Sequence, residues 1–236
     1  LDADLPSLKC QKLKHNKLMC VPAHPDDESL GMGGVLAKYA SEGVEAYLVT
    51  ATRGERGWLG DKRNSLSLDA AGKIREAELL AAANLLGIRE ISFLDYIDGD
   101  LDQADSNEAI AKIVAHLRRV RPRAVITFGP EGAYGHPDHI AISQLTTAAI
   151  VCAADASYAS RQPLAAHRVS KLYYMAWSHA KWTAFQAALR EIKTNVDGVE
   201  RRVTPWPDWA ITAASHATSL LTVLTLTSAG LPLKVV

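Results

Sequence analysis

Two short stretches place histidines and carboxylates at spacings that suit catalysis: AHPDDE at 23–28 and GHPDH at 135–139. Zinc accepts imidazole nitrogen and carboxylate oxygen, and a catalytic zinc keeps three protein ligands and one open position. His24 and Asp27 sit three residues apart across a proline turn, so both can point the same way, and His139 can supply a third ligand. Two neutral imidazoles and one carboxylate leave a bound dication net positive, so it would still acidify a water for hydrolysis. Iron(II) and cobalt(II) suit the same donors.

The neighbours of these three then have chemistry to do. Asp26, beside a ligand but not needed as one, can take a proton from the attacking water as general base. His136 can face a developing oxyanion as a cation, or protonate a leaving amine. Asp138 can hydrogen-bond that imidazole and raise its pKa, and Tyr134 can donate its hydroxyl to the same oxyanion. The plainer reading is structural. Pro-Asp pairs make turns, Asp26 and Glu28 can cap a helix that starts near Gly33, and Asp138 can cap one after Pro137. Each motif alone is weak, but the pair, each following an apolar run, favours a shared site. The remaining histidines (His15, His116, His167 and His216) lack such a setting, and His179 follows a strand and stays a weak candidate. GMGG at 31–34 is not a dinucleotide loop, because the position that needs a third small residue holds Leu36.

The elements that must position these groups alternate along the chain. Apolar runs at 18–23, 44–51, 89–95, 123–128 and 170–177 predict strands. Helical spacing predicts helices from about Gly33 to Gly43 and over 69–86, 106–120 and 138–154. Their apolar sides are Val35, Leu36 and Tyr39; then Ile74, Leu79, Leu80, Ala83 and Leu86; then Ile110, Ile113, Val114 and Leu117. This order predicts an α/β, Rossmann-like three-layer fold, with a mostly parallel sheet and helices on both faces. Both motifs directly follow strands, and the carboxyl ends of such strands share one ligand-binding crevice. Positions more than a hundred residues apart therefore meet.

Composition narrows the class. The 236 residues are 48% hydrophobic, and Lys+Arg and Asp+Glu both number 26, so no basic excess points to nucleic acid. One domain spanning 1–236 is expected. Cys10, Cys20 and Cys152 form no CxxC pair, which favours a reducing compartment and a cytoplasmic location. The first residues are charged and lack the apolar stretch of a signal peptide. From Ala210 to Leu233 there is no Asp, Glu, Lys or Arg, but Ser, Thr, His216, Gly230 and Pro232 argue for a buried strand and helix over a membrane span.

With these residues laid out, the chain resembles the LmbE/PIG-L family of zinc-dependent GlcNAc de-N-acetylases. The resemblance lies in AHPDDESLGMGG, VTATRGERG, REAELLAAANLLGI and GPEGAYGHPDH, and it runs from about Lys17 to Trp177. It implies His24, Asp27 and His139 as metal ligands, Asp26 as base, His136 as acid, Asp138 as its orienting carboxylate and Tyr134 as a mobile donor. It also implies substrate contacts from Arg63, Arg75 and Asp98, although a surface salt bridge is an equal reading for Arg75. Arg53 and Glu55 are expected to pin their loop. The family's C-terminal H-x-S-Q signature is missing from the divergent segment at about 205–236. The implied activity is removal of an N-acetyl group from a GlcNAc-containing sugar conjugate, small in size, by a protein that forms a homo-oligomer. Relatives act on glycolipid, inositol-linked, malate-linked or antibiotic-linked GlcNAc. The alternatives are an amidase cleaving a thiol-sugar conjugate and a non-catalytic sugar-binding module. Asp26 argues against the second, since a binding module has no use for a base beside a metal.

Overall fold

The computed structural model describes residues 16–57, 66–159 and 163–175, together with 183–184, 187, 193–196, 199–202 and 223–225. The strands are β1 (Lys17–Cys20), β2 (Glu45–Thr52), β3 (Ile88–Tyr96), β4 (Ala124–Phe128), β5 (Lys171–Met175), β6 (Lys193–Val196), β7 (Val199–Arg202) and β8 (Val223–Thr225). The helices are α1 (Asp27–Ser41), α2 (Leu68–Leu86), α3 (Ser106–Val120), the short turn α4 (Gly132–Gly135) and α5 (Pro137–Ala154). The main sheet runs β3-β2-β1-β4-β5-β8, and β6 pairs with β7 apart from it. Every pairing from β3 to β5 is parallel; β8, inside the charge-poor tail, joins β5 antiparallel. No helix among the described residues is long and apolar enough to cross a membrane.

Strand alternation feeds two cores. Met19, Val21, Tyr47, Val49 and Val125 pack on one face with Ile113, Val114 and Leu117 of α3 and Ile142 and Ala149 of α5. Leu18, Cys20, Ala46, Leu48 and Ile126 pack on the other with Met32 and Leu36 of α1 and Leu79 of α2. Burial of both faces explains why these strands read as unbroken apolar runs. The layered architecture matches the expectation.

Three local expectations fail. Helix α1 begins at Asp27, not near Gly33, so Asp27 and Glu28 form its first turn and GMGG lies in its interior. The glycines therefore do not open a helix at the site. Gly31 lets α1 lie against β5, where an added Cβ would fall 2.1 Å from Met175 Sδ. The earlier start also rotates the buried stripe to Asp27, Glu28, Met32, Gly33 and Leu36, leaving Val35 and Tyr39 exposed. On α2 the buried positions are Ala71, Gly72, Leu79 and Ala83, while Ile74 and Leu80 face outward. Small residues make up most of that stripe, beside Leu79, because a close helix–sheet approach outranks apolar size.

Candidate metal centre and active site

The order β3-β2-β1-β4-β5 reverses direction between β1 and β4, and in such sheets ligands bind beyond the carboxyl ends at that switch point. The two motifs emerge there. Beyond β1 the chain stays locked to its neighbours: Val21 N–H donates to Ile126 O (2.8 Å), and Ala51 and Thr52 N–H donate to Pro22 and Ala23 carbonyls (3.1 and 3.0 Å). Thr52 and Thr127 hydroxyls donate to the carbonyls of Ala23 and Val21 (3.0 and 2.8 Å). His24 is thus delivered from a rigid base.

The turn that follows is strained where chemistry is expected. Asp26 has φ 106°, a left-handed conformation that is costly for a residue with a Cβ. The buried Glu28 carboxylate holds it there, accepting the Asp26 N–H at 3.0 Å. Asp27 Oδ2 accepts the His24 N–H at 2.8 Å and the Ala23 N–H at 3.2 Å, which leaves Oδ1 turned to the centre. On the other strand end, Gly132 (φ 64°) and Ala133 (φ 62°) fold α4 tightly enough to place Tyr134 over the histidines. A Cβ on Gly132 would sit 2.7 Å from Ile140 Cγ1 and 3.2 Å from His139 Cβ, so this turn and α5 fit only with glycine. His139, in the first turn of α5, is buried and stacks on Phe128 with ring centroids 3.8 Å apart.

These elements bring His24, Asp27 and His139 together. His24 Nδ1 lies 3.2 Å from His139 Nε2, which lies 3.3 Å from Asp27 Oδ1; Asp27 Oδ2 is 3.7 Å from His24 Nδ1. Two atoms each about 2.0–2.1 Å from a tetrahedral ion stand roughly 3.3 Å apart, so the His24–His139 and His139–Asp27 separations suit a divalent cation such as zinc, while the 3.7 Å contact of His24 runs to the other Asp27 oxygen. Ligand nitrogens of His24, His136 and His139 also lie within 4.8 Å of one another, as do ligand atoms of His24, Asp98 and Asp138. His24 belongs to both groups.

The charges reflect this crowding. Burial pushes the His24 imidazole down, but hydrogen bonds to Asp138 and Asp98 and the charge of Asp27 overcome it and hold the pKa at about 10. Burial pushes Asp27 up, and the facing His139 and His24 outweigh it and bring it below its ordinary value. Asp26 is raised by desolvation and by Asp27, against the opposing pull of Arg75. Tyr134 is raised by burial and the surrounding carboxylates, which keeps its hydroxyl protonated.

Asp138 does not do what its spacing suggested. His136 occupies the N-cap of α5, and its Nδ1 accepts the Asp138 N–H at 3.2 Å. That cap turns the Asp138 side chain inward, where it accepts from His24 Nε2 (2.9 Å), Gly99 N–H (2.7 Å) and Leu101 N–H (3.1 Å). The His136 pKa is accordingly lowered, by burial first and then by His139 and His24, with Asp138 and Asp98 only opposing. Asp98, expected at the substrate, lies 3.1 Å from His24 Nε2. Arg75 makes the helix-surface pair, Nη1 to Glu78 Oε2 at 3.2 Å, and also reaches the site. Its Nη2 donates to Asp26 Oδ2 (2.7 Å) and Pro25 O (2.6 Å). Arg53 binds Glu76 and Asp95, and Glu55 accepts the Asp98 N–H at 3.1 Å, so both pin loops. Arg63, His15, His179, His216 and most of the divergent tail lie outside the described residues. His116 and His167 stand away from the centre, beside Arg119 and the Pro122 carbonyl respectively. Sequence reasoning missed two supports, the Glu28 hold on Asp26 and the Arg56–Asp100 pair behind Asp98. Glu28 carries a readable signal, an extra acid directly after the Asp pair.

A parallel α/β sheet whose switch point gathers imidazoles and carboxylates at metal-ligand spacing defines a metal-binding member of the Rossmann-like class. The chain belongs to the GlcNAc-PI de-N-acetylase (PIG-L) family, whose model matches residues 19–150. It is 35% identical over 79% of its length to a 1D-myo-inositol 2-acetamido-2-deoxy-alpha-D-glucopyranoside deacetylase of Streptomyces griseus, covering 62% of that protein. The protein of the same name from Rhodococcus jostii is 35% identical over 79% of the chain, which covers 69% of it. The chain thus spans about two-thirds of the length of these relatives. Among solved structures it resembles the N,N'-diacetylchitobiose deacetylase of Pyrococcus horikoshii in complex with its inhibitor MPG. The TM-score is 0.61 at 29% identity, covering 67% of this chain and 60% of that one.

Proposed function

We propose that this protein is a metal-dependent hydrolase that removes the acetyl group from the nitrogen of a GlcNAc-containing conjugate. The observation that carries the reading is the junction of two strand ends: His24, Asp27 and His139 at tetrahedral-edge spacing, with a second carboxylate, Asp26, next to them. His24, Asp27 and His139 would hold the ion, and when bound it supplies Lewis-acid polarisation of the amide carbonyl and a more acidic water.

The chain's own groups do the rest. Asp26 is half exposed, with one carboxylate oxygen anchored on Arg75, so the other is free to take the proton of the attacking water. His136 accepts a backbone N–H at Nδ1, so its neutral ring carries the proton on Nε2, ready for the carbonyl oxygen or the leaving nitrogen. The protonated Tyr134 hydroxyl is a second donor for the developing oxyanion. As the C–O bond forms and the C–N bond breaks, the water proton passes through Asp26 to the departing amine, leaving acetate and a free amino sugar. The names of the relatives support an inositol- or sugar-linked GlcNAc as substrate. The test is acetate release from GlcNAc-inositol, diacetylchitobiose and free GlcNAc by the zinc-loaded protein. The GlcNAc conjugates should release acetate with matching amine. A zinc-loaded protein that binds them and releases none would identify a sugar-binding module instead.

A further inference from the structure

His24 stands between two sets of ligand atoms, and only one side of its ring can face an ion. Nδ1 looks toward His139 Nε2 (3.2 Å) and Asp27 Oδ2 (3.7 Å). Nε2 looks toward Asp138 Oδ2 (2.9 Å) and Asp98 Oδ1 (3.1 Å). The Nε2 side, with Asp98 and Asp138, is compact enough for a cation, and on the Nδ1 side His139 and Asp27 lie within 3.2–3.7 Å of His24. We infer that Asp138, assisted by Asp98, is a positioning residue for His24: it accepts a hydrogen bond from Nε2–H and so presents the Nδ1 lone pair to the Asp27–His139 side. The inference deepens the metal-site reading above and depends on it.

Three observations carry it. An ionised carboxylate only accepts, so a nitrogen within hydrogen-bond distance of two carboxylates must hold the proton, and a neutral ring then has its lone pair on the other nitrogen. Next, Asp138 is already committed. Its side chain is fully buried, Oδ2 also accepts the Gly99 N–H at 2.7 Å, and Oδ1 accepts the Leu101 N–H at 3.1 Å. Both Asp138 oxygens are therefore engaged by backbone donors, whereas in Asp27 both donors fall on Oδ2 and Oδ1 stays turned to the centre. Finally, the support is one-sided. His139 Nδ1 is buried with no hydrogen-bond partner among the described residues and its ring stacks on Phe128, whereas the outer nitrogen of His24 faces two carboxylates. Metal-bound imidazoles characteristically hand their second N–H to a carboxylate, and loss of that partner weakens the metal. The arrangement also ties the loop after β3 to the centre. Arg56 Nη1 donates to the Asp98 carbonyl (2.6 Å) and its guanidinium pairs with Asp100, while the Arg56 N–H donates to Asp98 Oδ2 (3.1 Å).

Two measurements on the full chain test the inference. Heteronuclear NMR of the histidine rings in the zinc-loaded wild-type protein reads which His24 nitrogen is metal-bound. The expected result is zinc on Nδ1 and a proton on Nε2; zinc on Nε2 overturns the inference and moves the ion to the Asp98–Asp138 side. Chelator competition then gives zinc affinities for wild type, Asp138→Asn, Asp98→Asn and the double variant, with circular dichroism confirming the fold. Asp138→Asn should weaken zinc roughly 10–100-fold, and the double variant should be weaker still. Unchanged affinity in folded Asp138→Asn overturns the inference even where the wild type binds zinc, which leaves the metal-site reading standing. A wild-type protein that binds no zinc overturns both. If Asp138→Asn does not fold, the NMR result on the wild type decides alone.

Discussion

At the scale of single residues, the two neighbouring aspartates divide the labour, and that division can be measured. Asp27 is buried, with one oxygen fixed by backbone N–H groups and the other aimed at His139; Asp26 is half exposed and held by Arg75. Asp26→Asn keeps the shape and removes the proton acceptor, so metal content should persist while kcat falls by about 10²–10⁴-fold. Asp27→Asn removes a ligand charge, so metal content itself should fall, as read by elemental analysis of the purified variants. Variants that lose metal alike would contradict the assignment. The gathering of His24, Asp27 and His139, with Asp26 beside them, was legible because short motifs fix which side chains share a turn. The partner of Asp138 was not legible. It depends on His136 acting as a helix cap, which sends the Asp138 carboxylate to residues 24, 99 and 101.

At the scale of elements, helix and strand order could be read from periodicity, while helix faces could not. Asp27 and Glu28 are polar, so the apolar pattern starts near Gly33, yet buried hydrogen bonds draw both into α1. On α2 the bulky Ile74 and Leu80 outweigh Ala71, Gly72 and Ala83 in the pattern, although these small residues, with Leu79, are the buried ones. An element-scale support that composition concealed is Arg118. It is 5% exposed and donates to the carbonyls of Cys152, Ala153, Asp155 and Tyr158, closing the end of α5. Arg118→Met keeps much of the volume and strips those acceptors of their donor. Loss of about 2–4 kcal/mol is expected in urea unfolding, since each buried orphan is costly. A change near zero would mean that water replaces the guanidinium there. The site itself, at the opposite end of α5, should keep its metal.

At the scale of the whole molecule, the sheet does one thing for function: its strand order reverses between β1 and β4, so side chains from motifs over a hundred residues apart meet in one cluster. That convergence was legible, because both motifs follow strands in an alternating pattern, whereas the reach of Asp98 from β3 was recognised only as a substrate contact. An ion that binds only the folded chain must stabilise it. Zinc at a hundred times its dissociation constant adds about 2.7 kcal/mol, and in a chain of this size each kcal/mol moves Tm by about 2–4 °C. Chelation should therefore lower Tm by several degrees and zinc should restore it; a Tm indifferent to both would mean that the centre is not occupied in solution. The most direct measurement is an anomalous-difference map at the zinc edge from crystals soaked with a GlcNAc conjugate. The expected result is one peak about 2.0–2.2 Å from His24 Nδ1, Asp27 and His139 Nε2, with the acetamido carbonyl between that peak and Asp26. A peak among Asp98, Asp138 and His24 Nε2, or an acetamido group bound away from Asp26, would contradict the account.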